Sequence, residues 1–229
     1  MISVKKFTLT LCFAFIGLAS LAPDSRADEG AAAAQVVVDE ANRTFTHFVM
    51  DPKMDGFRNN LDKALGLFIV PTLGRGGFII GGSGGRGLLI GKDSQTGYWS
   101  QPAFYTIGSA SIGLQIGGDK SEVIFMIMSK NGMDAMLSTK AQFGGDMSIA
   151  AGPVGTGTKA ATADVLSFSR SKGAFAGLTA EGSIVDPEDK RNAAYYGQAV
   201  SPLDILIRRT AENPGANALV NNVAKHTSN

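Results

Sequence analysis

Gly74-Arg75-Gly76-Gly77-Phe78-Ile79-Ile80-Gly81-Gly82-Ser83-Gly84-Gly85-Arg86-Gly87-Leu88-Leu89-Ile90 combines short, β-prone apolar runs with clustered glycines and a pair of arginines. Gly82, Gly84 and Gly87 formally satisfy G-x-G-x-x-G. That spacing binds a dinucleotide only where a helix opens behind it, because the pyrophosphate is held by the free N–H groups of a helix N-terminus. Here Gly87 leads into Leu88-Leu89-Ile90-Gly91 and then Lys92-Asp93-Ser94-Gln95-Thr96-Gly97, a turn by composition. A P-loop fails too, since Arg86 stands where its first glycine belongs and Asp93 where Ser or Thr is needed. The glycines are architectural: the stretch reads as two bent strands, Phe78–Ile80 and Leu88–Ile90, whose turn presents Arg86.

Upstream, Val37, Ala41, Phe45 and Phe48 recur at helical spacing. Asp51-Pro52 reads as an N-cap and N1 proline, opening a second helix with Phe57, Leu61, Leu65 and Phe68 on one face. Pro71 ends that helix at the latest. Downstream the pattern is β. Ile112, Leu114 and Ile116 alternate with polar or small residues, and Gly117-Gly118-Asp119-Lys120 turns them into the continuous apolar run Val123–Met128, predicting a hairpin with a buried central strand. Asn131–Leu137 suits a short helix, Phe143–Ala151 and Val165–Ser171 suit strands, and Phe175–Thr179 begins a partner for the latter. A charged helix follows Asp186-Pro187 and ends near Tyr195-Tyr196-Gly197; Ser201-Pro202 caps a last short one. Strand–turn–strand units without crossover helices imply an antiparallel sheet. The fold class is α+β: a strongly bent antiparallel sheet or partly closed barrel packed with two N-terminal helices.

Lys5 and Lys6, the apolar run Phe7–Ala22 and the small-x-small triplet Ser25-Arg26-Ala27 read as a secretory leader cleaved after Ala27. Cys12, the chain's only cysteine, falls inside it, so the mature chain has neither disulfide nor thiol chemistry. The leader takes Lys5, Lys6, Arg26 and Asp24 with it, leaving 18 basic and 19 acidic side chains from the 21 and 20 of the whole chain. That near-neutral balance excludes the usual basic nucleic-acid binder. The 29 glycines in 229 residues, nearly twice the usual share of about 7%, belong in turns and in strands whose backbones pass closely. The organisation expected is residues 1–27 as signal peptide, 28–210 as one domain and 211–229 as a flexible tail, with localisation in the periplasm or outside the cell.

Six blocks then occur in a characteristic order: Lys63-Ala64-Leu65-Gly66-Leu67-Phe68-Ile69-Val70-Pro71; Gly77-Phe78 with Gly81-Gly82 and Gly87; Trp99-Ser100-Gln101-Pro102-Ala103-Phe104; Gly113-Leu114-Gln115-Ile116-Gly117; Ser169–Gly177; and Tyr195-Tyr196-Gly197. Together, over roughly residues 40–207, they resemble the SYLF domain family. The resemblance implies binding of membrane phospholipids, since eukaryotic members bind phosphoinositide-bearing membranes and some bind actin. A secreted member would meet neither actin nor cytosolic phosphoinositides, so anionic-lipid binding is what carries over. The basic, membrane-active helix of eukaryotic members has no counterpart in Ala31–Val49, whose charges are Asp39, Glu40 and Arg43.

The candidate headgroup ligands are Arg75, Arg86, Lys92, Arg170 and Lys172, all in or beside glycine-rich turns where backbone N–H groups add to a phosphate site. Trp99 is a candidate for the membrane interface, against its simpler role as a core aromatic. No cofactor, metal site or catalytic residue is expected. Asp186, Glu188 and Asp189 sit beside Lys190 and Arg191 as a solvated helix start, and a hydrolase would require a concave pocket holding His47 beside a carboxylate and a hydroxyl. The expectation is a non-enzymatic envelope protein binding anionic phospholipid headgroups. The alternative is a structural or oligomerising interaction module, assembled through sheet edges or apolar helix stripes.

Overall fold

A computed structural model of the chain describes residues 25–77, 80–112, 119–152, 162–171, 174–175 and 180–227. Helix α1 (Ser25–Met50) and the short α2 (Asp55–Leu61) precede strands β1 (Gly66–Gly77), β2 (Ile80–Gly91), β3 (Ala103–Ile112) and β4 (Asp119–Ile127). Helix α3 (Lys130–Met136) leads to β5 (Ala141–Gln142), β6 (Ile149–Ala151), β7 (Val165–Ser171), β8 (Ala174–Phe175) and β9 (Ile184–Pro187). Helix α4 (Asp189–Tyr196), a π-helical turn (Asp204–Arg208), a 3-10 turn (Pro214–Ala216) and α5 (Asn217–Lys225) complete the described chain. The α+β class holds.

The sheet order is β5-β9-β3-β2-β1-β4-β7-β6, with β8 also on β7. Every pairing is antiparallel except β6 with β7, so the sheet is mixed rather than wholly antiparallel. Its outermost strands, β5 and β6, are joined by only six residues, 143–148. A flat eight-strand path would hold them about 34 Å apart, whereas that link spans at most about 25 Å. The sheet therefore curls into a half-barrel.

The four central strands are buried on both faces, which is why they read as continuous apolar runs rather than as alternation. Leu67, Ile69, Leu88, Ile90, Phe104, Ile124, Met126 and Phe168 face the helices, where Phe45 and Phe48 of α1 and Phe57 of α2 close over them. Phe57 meets the Phe168 ring edge-on at 5.4 Å. Phe68, Val70, Leu89, Tyr105, Val123 and Phe125 face the concave side, filled by Met133, Met136 and Phe143. Phe68 stacks on Phe125 at 5.7 Å, and the buried Tyr105 hydroxyl donates to the Met136 carbonyl at 2.8 Å.

Four expectations are corrected. Helix α2 stops at Leu61, and Leu65 to Pro71 is not helical: Gly66–Val70 form β1 and bury both faces, which outweighs the i, i+4 spacing of Leu65 and Phe68. Neither Asp51 nor Pro52 caps α2, whose N-cap is Met54. The expected hairpin of the Ile112 run with Val123–Met128 does not form, because β1 and β2 lie between β3 and β4; residues 113–118 are outside the described ones. The tail is helical and docked rather than flexible. Asn213 accepts a hydrogen bond from the Gly215 amide ahead of Pro214, and Leu219 and Val223 of α5 are fully buried in the helical-side core. Asn222 binds Asn42 and Thr46 of α1 at 2.8 and 2.9 Å.

The glycines of β2 divide by face. β1 carries a bulge, its register slipping by a residue between Ile69 and Thr72 against β2 and between Val70 and Leu73 against β4. Bulges also admit Pro71, which has no amide to give to the ladder. The bulge presses into β2: a Cβ on Gly87 would lie 2.4 Å from the Ile69 carbonyl oxygen, and one on Gly85 2.6 Å from that of Thr72. Gly84, on the other face, would meet only a carbonyl at 3.8 Å, an ordinary contact. Gly87→Ala is therefore expected to lose about 1–3 kcal/mol of stability, whereas Gly84→Ala should stay within roughly 0.5 kcal/mol. Urea denaturation of the two variants checks this, and equal losses would contradict the role given to the bulge.

Asp164 ties α3 to the β6–β7 edge. Its carboxylate accepts from the Ser129 hydroxyl, from the Ser148 amide at 2.9 Å and hydroxyl at 2.7 Å, and from Asn131 at 3.3 Å. These donors, Ser129 foremost, hold its pKa down at about 2. Because the folded value lies below the ordinary 3.8, the stabilisation is complete above that value and disappears as pH falls from there to about 2. The stability gap between wild type and Asp164→Asn should accordingly be widest near pH 7 and close at low pH, as read by denaturant titrations along a pH series.

Candidate functional site

One row of polar residues crosses the sheet where the apolar block under α1 ends. Arg170 (β7) pairs with Glu122 (β4); Thr72 (β1) pairs with Arg86 (β2), Arg86 with Thr106 (β3), and Thr106 with Asp186 (β9). The bulge joins the two halves, because its extra residue rotates Thr72 into line with Arg86 on the helical face. Opposed residues of an antiparallel ladder project to the same side. Facing this row, Val37, Glu40, Thr44 and His47 form a stripe of α1 at spacings of three and four, with Asp51 just beyond the helix end. Helix stripe and sheet row are the two walls of a groove.

The groove has two lobes that meet at Thr72. The first, about 370 Å³, is lined by His47, Lys120, Glu122 and Arg170. Here the charges satisfy one another. Arg170 donates to Asp51 at 2.9 Å and to Glu122 at 2.7 Å, with its side chain only 18% exposed. His47 Nδ1 lies 2.7 Å from the other Glu122 oxygen, on which Thr44 also donates at 3.3 Å. The Lys53 amide first, and Arg170 second, lower the Asp51 pKa. This lobe latches the end of α1 to β4 and β7.

The second lobe, about 500 Å³, is lined by Val37 and Glu40 of α1 and by Thr72, Arg86, Thr106 and Ile107 of the sheet. The Arg86 side chain is 60% exposed, and its Nε donates to Glu188 at 3.1 Å. Glu188 also accepts from Arg191 at 3.0 Å, so one carboxylate is shared by two guanidiniums. Among the described residues the terminal nitrogens of Arg86 have no hydrogen-bond partner.

The five candidate cations do not form one face. Arg86 lies in mid-strand, not in a turn, and shares the polar row with Arg170 three strand spacings away, about 14 Å. Arg170 is held between two carboxylates and is no open anion ligand. Lys92 is at the far end of β2, some 20 Å from Arg86; its Nζ donates to the Asp62 carbonyl at 3.1 Å and lies 6.0 Å from the Trp99 ring centre. Of Arg75 only the backbone is described, opposite Ser83 and Asp119, and Lys172 is outside the described residues. Trp99 is 6% exposed and donates its Nε1–H to Thr227 at 2.8 Å. It is a core residue that fixes the end of α5, not an exposed interface anchor.

The pocket a hydrolase would require is partly present: His47 lies beside Glu122 with the Thr44 hydroxyl at hand. That hydroxyl, however, donates to Glu122 rather than addressing the second imidazole nitrogen, which has no described partner. Among the described residues, no three or more His, Cys, Asp or Glu side chains are placed to hold a metal ion, and no helix is long and apolar enough to cross a membrane. Glu40, Thr72 and Glu122 escaped the sequence reading. The alternation of Glu122 with Ile124 and Met126 was the available signal for its face, but nothing local announced its partners.

Known proteins resemble this chain in sequence. A family described as Ysc84, Las17-binding protein actin regulator, matches residues 108–226. LAS seventeen-binding protein 3 of Saccharomyces cerevisiae is 31% identical over 170 residues, covering 69% of this chain and 36% of that protein. Protein YSC84 of the same yeast is 29% identical over 168 residues, 70% and 36% of the respective chains. The human SH3 domain-containing YSC84-like protein 1 is 28% identical over 154 residues, 65% and 44%. The chain thus spans less than half the length of these relatives. With the family match covering over half of its residues, this chain belongs to the Ysc84 (SYLF) family.

Proposed function

We propose that this chain is a non-enzymatic cell-envelope protein, exported through a leader cleaved after Ala27, that binds anionic phospholipid headgroups in the groove between α1 and the sheet. The supporting observation is Arg86: an exposed guanidinium with open terminal nitrogens, at the floor of a 500 Å³ lobe. A planar fork of donors suits phosphate oxygens, and the Thr72 and Thr106 hydroxyls flank it. The Arg170 lobe contributes position rather than charge. His47 is held by Glu122 as part of the latch, with no aligned nucleophile, which favours binding over catalysis.

A second reading, a protein-interaction module, is favoured by a different surface. Leu203 and Ile207, four residues apart around the π-helical turn, are 37% and 52% exposed, and Tyr98 is 72% exposed. Arg209, with φ of 55°, joins the two segments by donating to the Tyr98 carbonyl at 2.8 Å. One yeast relative, LAS seventeen-binding protein 3, is named for binding a protein partner.

Flotation with vesicles of rising phosphatidylglycerol content decides between the two. Binding should rise with the anionic fraction and fall with added salt. Arg86→Glu should weaken it about 5- to 25-fold with little change in melting temperature, since an exposed ion pair contributes at most about 1 kcal/mol. Arg170→Glu should instead cost about 3 kcal/mol or more of stability, by leaving two carboxylates facing a third. No binding at any anionic fraction in low salt would sink the lipid reading, and a stable oligomer indifferent to lipid would favour the second. Mass spectrometry of the protein recovered from the envelope fraction should find an N-terminus at Asp28.

A further inference from the structure

The Arg86 lobe carries a charge that phosphate binding alone leaves unused. Glu40 reaches into it from α1, half-buried, and no described side chain pairs with it. Arg86 on the sheet wall is committed instead to Glu188. The lobe thus sets an unpaired carboxylate and a guanidinium with open terminal nitrogens on facing walls, with the Thr72 hydroxyl and the apolar flank of Val37 beside them. A carboxylate withdrawn from water without a partner is unfavourable and is relieved by a cation that donates hydrogen bonds to it. Charge balance points the same way: Arg86 and Arg191 are matched by Glu188 and Glu40. A bare anion on Arg86 would face repulsion from Glu40, whereas a ligand carrying both charges would satisfy both walls.

We infer that this lobe takes a phosphodiester bearing a primary ammonium a few atoms away, the phosphoethanolamine unit, with phosphate on Arg86 and ammonium on Glu40. A quaternary ammonium is disfavoured, since it cannot donate to a carboxylate and wants an aromatic cage, and among the described residues no aromatic ring lines the lobe. The inference rests on the headgroup reading above: it keeps the phosphate on Arg86 and adds an amine requirement, which the zwitterionic phosphatidylethanolamine meets; the same chemistry could be supplied by a soluble phosphoethanolamine ester.

The test is calorimetric titration of the full chain with glycerophosphoethanolamine, glycerophosphoglycerol and glycerophosphocholine, alongside flotation with vesicles in which phosphatidylethanolamine replaces phosphatidylcholine at constant phosphatidylglycerol. Glycerophosphoethanolamine should bind roughly fivefold more tightly than the other two, the upper end for a partly exposed charge pair. Glu40→Gln should remove that preference while keeping glycerophosphoglycerol binding, and Arg86→Gln should weaken all three. Equal affinities, or a preference that survives Glu40→Gln, would overturn the inference while leaving phospholipid binding intact. Absence of binding to every diester and every vesicle would overturn both. Amine-selective binding of the soluble diester without vesicle binding would uphold the inference and remove the membrane as its source.

Discussion

The bulge of β1 sits on β2 at backbone contact distance, and much of the molecule depends on that contact. At Gly85 and Gly87 a side chain would collide with the carbonyls of Thr72 and Ile69, so the two strands can be pressed together only where β2 has no Cβ on that face. The extra residue bends β1 and increases the local twist, in keeping with a sheet whose two edges must be joined by the six residues 143–148. The curl in turn creates a concave side deep enough for Phe68, Phe125 and Phe143 to stack within it. On the other side it leaves a face that α1, α2 and α5 close.

The same bulge sets the chemistry. Before it, Leu67 and Ile69 face the helices; after it, Thr72 does, in line with Arg86 and beside Glu122 and Arg170. The transition from an apolar to a polar row under α1 is therefore a consequence of one inserted residue. The latch formed by His47, Glu122, Arg170 and Asp51 then pins the helix end, while the Arg86 lobe leaves Glu40 and the terminal nitrogens of Arg86 without described partners. One lobe holds the walls together and the other is left for a ligand, although both are built from the same residue types.

Family membership accounts for the fold more fully than for the function. The relatives are more than twice as long as the shared region, and it is the family description that speaks of a protein partner and actin regulation. What the groove offers is local: a guanidinium that shares Glu188 with Arg191 and has open terminal nitrogens, and a carboxylate, Glu40, that no described side chain pairs. That distinction matters for the cations read from their places in glycine-rich turns, because three of the five can be located with their side chains, and of these Arg86 alone has both terminal guanidinium nitrogens without a described partner.

Much was legible without coordinates. The helical stripe of Val37, Ala41, Phe45 and Phe48, the doubly buried run Val123–Ile127 and the architectural role of Gly87 all follow from local spacing and residue size, which act within a few residues of chain. Local rules failed where two signals competed. Leu65 and Phe68 kept helical spacing although Gly66–Val70 were needed as a strand, and the polar composition after Asn213 hid the Leu219–Val223 stripe of a docked helix. Strand order, and with it the separation of β3 from β4 by β1 and β2, is set by pairings between strands and not by any local pattern. The groove is a still longer-range product: Glu40 and Arg86 stand 46 positions apart in the chain, and Glu122 and Arg170 stand 48 apart. The chain by itself determined which side chains carry charge and which strands are apolar on both faces. Only the tertiary structure decided which charges cancel and which stay open, because an ion pair is fixed by distances between strands and not by spacing along them.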